Sequence, residues 1–246
     1  MQELPFKRAF VLHTRDFKEN QLIADLLVQG EGRLAAVGYK GSKKNSARTA
    51  LFSPFRAVQI QIKPGNGLHK IKNIESVEQD IKLTGNRLFC GFYLNELVCR
   101  LCPADEHFDL LHPIYSHTLS QLASLSAVTD SNLQSAAIEL ILRRFEDKLL
   151  TLLGYELDLS NTLDTEQSIE AACRYELFEG GLVQTKSMRQ GILGSDIRGI
   201  EKLLRGEGYA NSETINYLKP AKQLLRLALH RQLGDKPLKS RELFRR

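Results

Sequence analysis

Residues 39–55, YKGSKKNSARTALFSPF, gather Lys40, Lys43, Lys44 and Arg48 within nine positions and hold no acid. Like charges repel and contribute nothing to folding, so such a cluster is either a solvated loop or a surface for something anionic. Its setting favours the second reading. From Arg33 through Lys72 there is no Asp or Glu, and that stretch holds nine Lys and Arg. Tyr39, Phe52 and Phe55 flank the cluster. Cations follow a phosphate chain while aromatic faces stack bases, which is the chemistry of single-stranded nucleic-acid binding. Arg33, Lys40, Lys43, Lys44 and Arg48 are therefore the candidate phosphate contacts. Lys70 and Lys72 extend them on a neighbouring strand, and Lys236, Lys239 and Arg241 are further candidates near the end of the chain.

A second pair of cations, Arg143 and Arg144, lies in LRRFED. At 100° per residue, Arg144 falls on the flank of the face marked by Phe145 and Arg143 near its opposite side. They are either the solvated side of an amphipathic helix or planar forks for a partner's carboxylate. Catalytic patterns are missing: there is no GxSxG, no GxxxxGK[ST] and no HExxH. His107, His112 and His117 are five apart and would fan out around a helix instead of converging on a metal. Cys99 and Cys102 form a CxxC at the carboxyl end of a helix, where the dipole disfavours thiolate. The four cysteines read as free thiols, and no catalytic residue, cofactor or metal ligand set is expected.

The elements that must position these residues change character near residue 80. AFVLHTRDF, LIADLLV, GRLAAVGYK, VQIQIK and LHKIKNIESV read as five short strands, with turns at Gly30–Gly32 and PGNG. VQIQIK alternates strictly, with Val58, Ile60 and Ile62 on one face and Gln59, Gln61 and Lys63 on the other. Five strands in meander order suit a small closed barrel. The basic loop falls between the third and fourth. From Leu83 the period is helical: Cys90, Leu94, Leu97, Val98 and Leu101 share a stripe, and SNLQSAAIELILRRFEDKLLTLLGY is a long amphipathic helix with Gly154 at its end. Further helices are expected at about 196–205 and 212–233, with an irregular insert at about 156–185. The fold class is thus α+β, with domains at 1–80 and 81–246. A chain of 246 residues with 42% hydrophobic and 26% charged residues is an ordinary globular protein. It shows neither a signal peptide nor a membrane span, so it is expected in the cytoplasm.

Four patches resemble the RecO family of bacterial recombination mediators: RAFVLHTRDFKENQLIADLL with GEGRLAAVGYKG; SPFRAVQIQI; FYLNELVCRL; and LRRFEDKLLTLLGYELDL through KPLKSRELFRR. The resemblance implies an N-terminal OB-fold barrel followed by a helical domain. It implies a non-enzymatic, nucleoid-associated protein that binds single- and double-stranded DNA and anneals complementary strands. Such a protein helps load RecA onto strands covered by single-strand-binding protein (SSB). The implied partners are RecR and the acidic C-terminal tail of SSB, with Arg143 and Arg144 where relatives receive that tail. Some relatives carry a four-cysteine zinc module after GYxLDL. Here that stretch retains only Cys173, so the insert reads as a degenerate, metal-free version. Two other readings compete: an RNA-binding OB module, since nothing in the loop distinguishes ribose from deoxyribose, and an enzyme assembled from residues distant in sequence.

Overall fold

Alternation in the first eighty residues becomes five strands. A computed structural model describes residues 4–41, 47–77, 81–187, 189–206, 211 and 214–245. Strands β1 (Lys7–Lys18), β2 (Gln21–Val28), β3 (Gly32–Tyr39), β4 (Ala57–Lys63) and β5 (His69–Ser76) close into a barrel in the order β1-β2-β3-β5-β4. All pairings are antiparallel except β3 with β5, which is parallel and closes the barrel, the OB arrangement. The inward positions Ala9, Val11, Leu22, Ala24, Leu26, Val28, Leu34, Ala36, Val58, Ile60, Ile71 and Ile74 fill its centre. The β2–β3 turn takes Gly30 and Gly32 at φ +76° and +87°, backbone that side chains resist.

Between β3 and β4 a single helical turn, α1 (Ala47–Ala50), leads to Phe52, which joins the barrel core. A Cβ at Gly38 would come within 2.6 Å of the Phe52 ring, so this close seat needs glycine. The outer side of β1 is also buried. Phe10 lies 5.2 Å from both the His112 and Tyr115 rings of α3 (Leu111–Ser124). Asn95 of α2 (Asn86–Leu101) donates to the Leu12 carbonyl at 2.7 Å and accepts from the Tyr115 hydroxyl. The polar residue that interrupts the apolar α2 stripe thus satisfies a buried strand carbonyl.

The folded chain divides into two compact units. One unit holds residues 1–123 with 237–246, and the other holds 124–236. The last segment returns to the first unit because Glu96, in the NEL of α2, caps it. The Glu96 carboxylate accepts from the Lys239 and Ser240 amides at 2.9 and 2.8 Å and from the Ser240 hydroxyl at 2.6 Å. Leu238 is buried, and Phe244 meets Phe89 edge-on at 5.9 Å.

In the second unit α4 (Ser131–Leu152) starts at Asp130, whose carboxylate accepts from the Asn132 and Leu133 amides at 2.8 and 3.0 Å. It ends before Gly154 at φ +80°. α5 (Gly194–Arg205) and α6 (Leu218–Leu233) pack on it. The insert is more regular than its polar composition predicts. β6 (Arg174–Phe178), β7 (Gly181–Thr185) and β8 (Ile192–Leu193) form a small sheet in the order β7-β6-β8. Its hairpin turns at Glu179–Gly180, with Gly180 at φ +91°, and Leu159, Ile169, Tyr175 and Leu182 give it a core. Among the described residues no helix is long and apolar enough to cross a membrane.

Candidate nucleic-acid interface

The cations of the acid-free stretch meet different fates. Arg33 is held by Asp25 (Nη1–Oδ1 2.7 Å) and donates through Nε to the Cys102 carbonyl at 2.7 Å. Lys40 pairs with Asp16 at 2.5 Å. Both acids come from strands β1 and β2, which lie beside the stretch in space and outside it in sequence. Arg48 donates from Nε to the Tyr39 carbonyl at 3.0 Å. Lys43 and Lys44 lie outside the described residues.

The β4–β5 hairpin is arranged differently. Lys63 and Lys70 are direct cross-strand partners, and Lys72 sits at a bulge where the register shifts between Gln61 and Ile62. All three are exposed and have no ion pair among the described residues. Like charges set directly opposite destabilise a ladder, so folding alone gives no reason to place two lysines there. In the parallel pairing Lys70 is level with Val37, and Tyr39, two residues on, is 47% exposed. Lys63 was not among the candidates, although its outward place in VQIQIK was readable.

The aromatics sort less favourably. Phe52 is in the barrel core, and Phe55 is buried against α2, its ring 5.1 Å from that of Phe92. Neither can stack a base, because Phe52 is enclosed in the barrel core and Phe55 is covered by α2. Tyr39 remains available. Phe17, 46% exposed with Lys18 5.5 Å from its ring centre, is an aromatic that sequence reasoning missed.

On α4, Arg143 does not face solvent. It is 6% exposed and pairs at 2.7 Å with Glu146, which is 0% exposed. The expectation of an outer face fails because α4 is enclosed: Ala137, Leu140, Ile141, Leu142, Phe145, Leu149 and Leu150 are buried around it. Arg144 is half-buried and donates to the Leu203 carbonyl from Nε at 3.4 Å and Nη2 at 3.2 Å, and to that of Gly206. It therefore caps the negative end of α5. Lys236 and Lys239 are exposed, and Arg241 is half-buried in the capped terminal segment.

Burial pushes the Cys99 and Cys102 thiols up to about 12, against the pull of Arg33, so both are protonated at neutral pH. Among the described residues no three His, Cys, Asp or Glu side chains converge as metal ligands.

Comparison with known proteins gives this layout a family. The profile for the Recombination protein O N terminal matches residues 1–79, and that for the Recombination protein O C terminal matches residues 83–242. The chain is 34% identical over 242 residues to the DNA repair protein RecO of Pseudoalteromonas translucida, covering 97% of this chain and 96% of that one. It is 36% identical over 239 residues to the RecO of Alteromonas mediterranea, covering 96% and 95%. To the RecO of Pseudomonas putida strain KT2440 it is 34% identical over 239 residues, covering 97% and 96%. With both halves matched and the barrel-then-helices order in place, this chain belongs to the RecO family of DNA repair proteins.

Proposed function

We propose that the chain is a DNA-repair mediator that works by charge neutralisation without bond chemistry. It binds single- and double-stranded DNA, anneals complementary strands and assists RecA loading on SSB-covered strands, with RecR as a partner. The observation that carries the reading is the exposed Lys63–Lys70 pair with Lys72, cations gathered where folding gains nothing from them. The track runs along the outer β3–β5–β4 surface towards Tyr39 and Arg48, and Lys43 and Lys44 lie between these two in sequence. Annealing follows because a surface that screens two anionic strands lets their bases meet.

For the SSB tail, the geometry favours Arg144 over Arg143. Arg144 is only partly buried, whereas Arg143 is 6% exposed and closed in by Glu146. A peptide ending in the SSB tail sequence loses affinity with Arg144→Ala; equal binding would remove Arg144 from the site.

Six phosphate contacts, from Lys43, Lys44, Arg48, Lys63, Lys70 and Lys72, give a slope of log K against log salt of roughly −4 for single strands. A slope near zero would reject the electrostatic reading outright.

A further inference from the structure

The two ends of the barrel differ. Phe52 lies beside Gly38 towards the end of β3, while near the start of β3 a cavity of about 410 Å³ is lined by Leu34, Ile62, Pro64, His69, Asp105 and His107, with Lys7 and Glu31. Its volume falls within the roughly 300–1,000 Å³ of small-molecule clefts, and barrel mouths are a recurrent place for them. We propose that this mouth receives one unstacked base of the bound single strand, with preference for a base bearing an exocyclic amine. The proposal rests on the interface reading above and adds to it a contact that reads base chemistry.

Three observations carry it. First, Lys63 and Lys70 stand at the strand ends that form this mouth, so phosphates held there bring a base to its rim. Second, the lining includes apolar side chains and imidazole rings, which suits the faces of a flat heteroaromatic ring. Third, the edge carries two carboxylates, and Lys7, which also lines it, is held by Glu31. Asp105 uses Oδ1 to hold His69 Nε2 at 2.7 Å, and Glu31 uses Oε1 to hold Lys7, leaving one oxygen of each carboxylate for a donor. Carboxylates accept from the cytosine amine, whereas thymine offers a carbonyl at that place.

Asp105 is set with unusual firmness for a loop residue. Its backbone is left-handed at φ +66°, and its amide donates to the Arg33 carbonyl at 2.9 Å while Arg33 holds the Cys102 carbonyl. Strain of this kind persists where the surroundings over-determine it, as they do here.

The test compares an oligothymidylate with the same strand carrying one cytosine, titrated against the full chain at several salt concentrations. The cytosine strand binds about fivefold tighter or more. The Asp105→Asn/Glu31→Gln double variant brings that ratio towards one while keeping the salt slope, because carboxamides offer donor and acceptor alike. Asparagine tolerates the left-handed backbone at 105. A strand carrying N4,N4-dimethylcytosine loses the preference with the protein unaltered, so the result does not depend on how the variant folds. Equal affinity of the unaltered protein for the cytosine and all-thymine strands, with a normal salt slope, overturns the base pocket and leaves the interface standing. A slope unchanged in Lys63→Ala/Lys70→Ala overturns both.

Discussion

Lys63, Lys70 and Lys72 on the barrel and Arg143 with Arg144 on α4 look alike as sequence: short runs of cations with an amphipathic element beneath. In the folded chain the lysines stand in solvent with no carboxylate partner among the described residues, while Arg143 closes on a buried Glu146 and Arg144 caps α5. The first group has its charge available to a ligand; in the second, Arg143 is shut inside the fold and Arg144 reaches the surface only in part. Charge density in a sequence therefore measures potential for binding only after internal acids and helix ends have taken their share.

The largest effect that tests this contrast is on stability. Arg143→Ala removes the cation that meets the buried Glu146 at 2.7 Å and lowers unfolding stability by about 3–5 kcal/mol, read as a drop in the urea midpoint. The Arg143→Met/Glu146→Leu double variant recovers most of that loss, since an apolar pair of similar volume replaces a buried ion pair at little cost. A single variant as stable as the parent would mean that the other contacts of Glu146 hold its carboxylate without Arg143, and the contrast would dissolve. The next effect is on binding. Lys63→Ala/Lys70→Ala/Lys72→Ala flattens the single-strand salt slope by about 2.1, at about 0.7 per contact. Its urea midpoint stays within about 0.5 kcal/mol of the parent. Loss of stability with an unaltered slope would reverse the two roles.

Much of the architecture was legible because strand alternation and helical stripes are local signals. The Gly30–Gly32 turn and the helix from Ser131 to its Gly154 stop kept the expected form, and VQIQIK is a strand, although Gln61, expected on the outer face, is buried. The small sheet at 174–193 was not legible, because RYELF and GLVQT are short and bury little beyond Tyr175 and Leu182. The site was read less well than the fold. An acid-free run from Arg33 to Lys72 hides Asp16 and Asp25, which reach it across strands. Arg143 was placed outside by helical angle, but angle gives orientation and not whether a neighbour covers that side. The terminal KPLKSREL carries cations, yet its fixed contact is the Glu96 cap, which joins two segments 143 or more positions apart.

Two smaller effects sharpen the contrast within the barrel itself. Lys43→Ala/Lys44→Ala flattens the slope by about 1.4 if the loop contributes its charge as the hairpin does. Asp16 and Lys40 give the finest test. If the Asp16 carboxylate withholds Lys40 from phosphate, Lys40→Ala in the parent barely alters the slope, whereas Asp16→Ala steepens it by about 0.7. Adding Lys40→Ala to Asp16→Ala then removes the gain, and the cycle isolates the pair. A parent slope that falls by about 0.7 with Lys40→Ala alone would show that the pair opens on binding. In that case the exposed, weakly worth surface ion pair acts as a reserve of positive charge that DNA can claim.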